Sequence, residues 1–116
     1  MIKFDDIGLL GFFEAEAVPD RDEPSILRYA VQTRTGMDLV FTIDSPLGCT
    51  HLRMSRNGVV IVDVGSEGVT EINVVGKGDD EVLECEVSTS SATGKMTISW
   101  KSTPHFRSHL LDRGER

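Results

Sequence analysis

The chain has 116 residues, 39% of them hydrophobic and 27% charged, with a formal net charge of −7. That suffices for one domain with its own core and no metal or disulfide support, and it is too apolar for a disordered chain. The acid is unevenly placed. Residues 1–93 sum to −10 and residues 94–116 to +3, so the body repels phosphate backbones and suits a basic protein rather than nucleic acid.

Ile7 to Val18 opens the chain's structure. Its Gly and Phe pairs disfavour a helix start, and Phe13, Ala15 and Ala17 alternate with Glu14 and Glu16 as in a strand; a helix over 9–17 is the alternative. Pro19 to Pro24 is an acidic loop. Ile26–Thr33 and Asp38–Asp44 read as strands with Leu27, Tyr29, Val31, Leu39, Phe41 and Ile43 inward. Ser45-Pro46-Leu47-Gly48 supplies turn chemistry. Cys49–Val64 reads as a hairpin around Asn57-Gly58, a pair suited to a type I′ turn. A two-residue loop sets Arg56 against Val59, Met54 against Ile61, Leu52 against Asp63 and His51 against Val64. The second strand of the hairpin is apolar on both faces, which predicts a central position in its sheet; the first, polar on one face, is expected nearer an edge or a solvated surface.

Val69–Val75, Val82–Ser88 and Lys95–Lys101 follow as strands, with Leu83, Cys85, Val87, Met96, Ile98 and Trp100 inward. Their alternation predicts Leu83 opposite Trp100, Cys85 opposite Ile98 and Val87 opposite Met96. Residues 103–116 lose the alternation and are expected to be a tail, with a short helix around Ser108–Asp112. The whole predicts one antiparallel all-β domain over residues 1–102, of about eight strands, as a sandwich or a bent meander sheet.

Few residue groups suggest chemistry. Cys49 and His51 have the types of a nucleophile and a base, yet residues two apart on a strand need not meet. His105 and His109 would share a face of a helix as a metal pair, but no third ligand is near. Asp63 is the lone charge in an apolar run, so it is either a buried functional carboxylate or a sign that the strand leaves the core there. Asp20, Asp22 and Glu23 form one acidic cluster and Asp79, Asp80 and Glu81 another, neither with EF-hand spacing. No phosphate loop, nucleophile elbow or zinc motif occurs. These features predict no cofactor, no metal and no catalysis, and a protein that binds another protein. The two cysteines read as free buried thiols, and acidic residues stand where a signal peptide needs apolar ones. No run approaches the length of a membrane span, so the expected address is the cytoplasm.

The middle third resembles the immunity protein 10 type of bacterial polymorphic-toxin systems. The residues concerned are Tyr29-Ala-Val-Gln32, Gly36-Met37-Asp38, Gly48-Cys49 and Ser55-Arg56-Asn57-Gly58-Val59-Val60-Ile61, within about residues 27–62. Gln32 is followed here by Thr33, and the paired glycines after Gly48 are missing. The resemblance implies a single-domain inhibitor that binds a toxin and catalyses nothing. A basic toxin domain would meet at least one of the two acidic clusters, with 79–81 preferred because the glycines flanking Lys77 let that turn protrude. The competing expectations are an assembly subunit of a phage or secretion device, and a small enzyme using Cys49 or His51.

Overall fold

Asp5 sets the first element. Its carboxylate accepts a hydrogen bond from the Ile7 amide at 3.1 Å and caps α1 (Asp6–Phe13), which ends with Glu14 in the left-handed region. The structure, a computed structural model, describes residues 1–102 and 104–112, with side chains through residue 109. The strand expected to start near Ile7 is therefore a helix over its first half. Asp5 satisfies an amide that a strand would have to pair elsewhere, and Leu9, Phe12 and Phe13 of α1 are buried. The alternation survives only after the helix, where exposed Glu14 and Glu16 flank half-buried Ala15 and lead into β1 (Val18–Pro19).

Two antiparallel sheets follow, each a meander in chain order. The first joins β1 to β2 (Ile26–Gln32), β3 (Asp38–Asp44), β4 (Cys49–Arg56) and β5 (Val59–Ser66). The second joins β6 (Val69–Val75), β7 (Val82–Ser88), β8 (Ala92–Ser99) and β9 (His105–Asp112). One cluster of buried side chains draws on both sheets and on α1. The expected all-β domain is thus observed, as nine strands among the described residues.

Several registers differ from expectation. Asn57 and Gly58 have φ of 52° and 79°, as the type I′ turn requires, and Arg56–Val59 and Ser55–Val60 pair. A bulge then leaves Ile61 without a partner. Beyond it Met54 faces Val62, Arg53 faces Asp63 and His51 faces Gly65. The extra residue keeps Val62 and Val64 half-buried while Asp63 turns outward. β5 is also an edge strand rather than a central one, and Val59, Val60 and Ile61 are exposed. The chain leaves this edge through Gly68 (φ 70°), where an added Cβ would lie 2.9 Å from the Ser88 carbonyl oxygen.

In the second sheet Leu83 pairs with Ile98, Cys85 with Met96 and Val87 with Gly94, two residues from the expected register. Trp100 lies past the end of β8 and is buried by α1 instead: its Nε1 donates to the Phe12 carbonyl at 3.1 Å. The expected tail is β9. Phe106 packs against the core while His105, Arg107 and His109 are exposed, an alternation that suits a strand and leaves no helix over 108–112. Residues 103 and 113–116 of the expected tail lie outside the described residues.

Phe12 and Phe13 bridge the sheets. Phe12 meets Trp100 edge-on at 6.4 Å, and Phe13 stacks on Tyr29 at 4.7 Å and on Phe41 at 5.9 Å. Phe13→Ala is expected to lower the unfolding free energy by about 4 kcal/mol. Ile7→Ala, at a site 77% exposed, should change it by less than about 0.5 kcal/mol. Urea midpoints of the two variants check this ordering.

Candidate functional site

The bulge in β5 builds an ion-pair network on the outer face of the first sheet. Asp63 lies opposite Arg53 and receives its guanidinium at 3.4 Å, while His51 Nε2 lies 2.5 Å from the other Asp63 oxygen. All three side chains are 41–52% exposed, so Asp63 is a paired surface carboxylate and not a buried one. Cys49 Sγ donates to the Leu47 carbonyl at 3.5 Å, and His51 is engaged with Asp63 rather than with this thiol. Cys85 is fully buried, which pushes its thiol up to about 12, so the thiolate form of a nucleophile is suppressed there. The two cysteines are free and stand in different sheets.

His105 and His109 lie on a strand, not a helix. Four residue steps along β9 separate them by about 13 Å, too far to share one ion. Among the described residues no group of three or more His, Cys, Asp or Glu is placed to hold a metal.

The acidic clusters are partly consumed by the fold. Asp20 accepts from the amides of Asp22 and Glu23, both at 3.1 Å, and so shapes its own loop. Asp79 receives Arg34 through both oxygens, at 3.1 and 3.2 Å. Glu81 holds Lys101 Nζ at 2.6 Å. That lysine side chain is only 9% exposed, lies 3.6 Å from Glu14, and sits 5.7 Å from the Phe12 ring centre and 5.9 Å from that of Trp100. Asp22, Glu23 and Asp80 form no ion pair among the described residues. The clusters flank opposite ends of β2, whose length puts them roughly 20 Å apart.

A groove that the sequence did not reveal lies between α1 and the β1–β2 hairpin. Asp6, Leu10, Glu16, Ala17, Leu27 and Tyr29 line it. Asp6 and Glu16 are exposed, and Tyr29 is buried against Phe13. Desolvation, reinforced by the Asp6 carboxylate, pushes the Tyr29 phenol up. Asp5 beside Asp6, just ahead of an apolar run, was the one signal for this helix start, and hence for the groove.

No protein-family model matches the chain, and no curated protein sequence does. A solved structure does match. It is a chain of the contact-dependent growth inhibition toxin–immunity protein complex from Klebsiella pneumoniae 342. The TM-score is 0.82 at 20% identity, over 95% of this chain and 97% of that one. At that identity the likeness establishes a shared fold.

Lys101 gives a direct test of the acidic turn. Glu81→Gln leaves a buried ammonium without its nearest carboxylate and is expected to lower stability by about 2 kcal/mol. Asp80→Asn should change it by less than about 0.5 kcal/mol. Chemical denaturation of both variants distinguishes a structural carboxylate from a free one.

Proposed function

We propose that this protein is an immunity-type inhibitor: a non-catalytic, cytoplasmic protein that neutralises a bacterial toxin by binding it. The observation that carries this reading is the fold shared, end to end, with a chain of a toxin–immunity protein complex. The residues within 27–62 that resemble immunity protein 10 point to the same kind of system by an independent route. His51 pairs with Asp63 and the Cys49 thiol with the Leu47 carbonyl, so the Cys49–His51 nucleophile and base pair that an enzyme reading needs is not formed.

A net charge of −7 on a small β scaffold favours a basic partner. Long-range attraction raises the rate of encounter, and loops on a rigid scaffold present the contacts. A toxin that acts on nucleic acid has a basic cleft suited to such a partner. Among the carboxylates singled out in the sequence, Asp22, Glu23 and Asp80 are the ones free to face it. Asp20, Asp79 and Glu81 contribute through the shape and charge of their loops.

The reading predicts a toxin gene next to this one, and co-production with the toxin domain that gene encodes tests it. The expected result is protection of growth and a stable complex on size exclusion. Growth arrest despite soluble, folded protein, with no complex, would contradict it.

A further inference from the structure

The groove between α1 and the β1–β2 hairpin has the chemistry of a receptor for a cationic side chain. Leu10, Ala17 and Leu27 give it an apolar lining, and Asp6 and Glu16 add two carboxylates with no ion pair among the described residues. Their neighbours are already occupied: Asp5 caps α1, and Glu14 leans toward Lys101.

Tyr29 is the decisive residue. It is only 2% exposed, yet its hydroxyl makes no hydrogen bond within the described residues. A buried tyrosine ordinarily finds a partner for that group. No buried side-chain oxygen or nitrogen among the described residues is sealed off without a partner, so the Tyr29 oxygen reaches the surface, and Tyr29 is one of the residues that line the groove. The phenol is held protonated by burial and by Asp6, and it retains lone pairs to accept a bond.

We infer that this groove seats an arginine side chain of a partner protein, its stem on Leu10, Ala17 and Leu27, its guanidinium donating to Asp6, Glu16 and the Tyr29 hydroxyl. Arginine fits better than lysine. Its five donors in a planar fork can serve several acceptors at once, and it is more weakly hydrated than an ammonium. The groove, at about 320 Å³, suits one long side chain rather than a helix or strand. A protein rather than a free small cation is indicated by exposed apolar surface on the helix beside the groove: Leu10, which lines it, is 43% exposed, and Ile7, one turn earlier on α1, is 77% exposed. The partner chemistry rests on the toxin-binding reading above. The site itself rests on the groove.

Two measurements test it together. In the first, the intact protein is titrated with Nα-acetyl-arginine methylamide and, separately, with the citrulline counterpart, which is neutral and nearly isosteric. NMR shifts of Leu10, Leu27 and Tyr29 are expected to saturate with the arginine compound only. Tyr29→Phe, which keeps the ring stack on Phe13, and the pair Asp6→Asn with Glu16→Gln should each weaken that binding roughly tenfold or more. No saturable shift, an equal response to citrulline, or unchanged affinity in the variants would overturn the site.

In the second measurement, the neighbouring toxin domain is the ligand. Asp6→Asn with Glu16→Gln should raise its Kd roughly tenfold or more. Glu67→Gln with Glu86→Gln, at exposed positions in the β5–β6 turn and in β7 that do not line the groove, removes the same charge and should leave it within about twofold. Toxin binding that ignores the Asp6/Glu16 pair overturns the groove as the docking site while leaving the inhibitor reading intact. Arginine binding without toxin binding keeps the site and removes that reading.

Discussion

The insertion of Phe12 and Phe13 between the sheets is the constraint on which the rest of the molecule depends. Neighbouring residues on one short helix send their rings to opposite partners, Phe12 to Trp100 and Phe13 to Tyr29 and Phe41. The hydrogen bond from Trp100 to the Phe12 carbonyl fixes the end of α1 against the second sheet. Lys101 then closes the same corner, its ammonium held by Glu81 and lying over both rings. An eight-residue helix is too short to be stable alone in water, so this packing, not propensity, makes it a helix.

That placement also decides where negative charge is available. By docking on both sheets, α1 draws Glu14 toward Lys101 and uses Asp5 as a cap, which leaves Asp6 and Glu16 facing a groove over Leu27 and Tyr29. The turn at 79–81 looks more acidic in the sequence, yet two of its three carboxylates close contacts within the protein. On the proposed reading, net charge supplies long-range attraction, and unneutralised carboxylates beside apolar surface supply specific contacts.

Much of the fold was legible in the sequence, because alternation of apolar residues marks a half-buried strand whatever its neighbours. Asp38–Asp44, Val69–Val75 and Val82–Ser88 show this with their expected limits. What depended on distant partners was not legible. The bulge at Ile61 exchanges the pairs beyond it, and nothing local distinguishes it from a continuous ladder. β5 looked central because it is apolar on both faces, while its position follows from where the chain crosses to the second sheet. β9 was hidden by Pro104 and by the spacing of His105 and His109, which imitates a helix face. Tyr29 was legible as an inward residue. That its hydroxyl stays open to a groove depended on a helix placed there by Trp100, on the far side of the core.

The central claim is that an acidic, apolar groove beside α1 is where this protein meets a toxin. Hydrogen exchange of the protein, alone and in complex with the neighbouring toxin domain, tests it most directly, since a bound surface loses exchange where its amides are covered or its openings suppressed. The account predicts added protection in residues 6–18 and 26–29, with little change in 93–99. Protection confined to 57–66 or 78–81, with residues 6–18 exchanging as in the free protein, would contradict it.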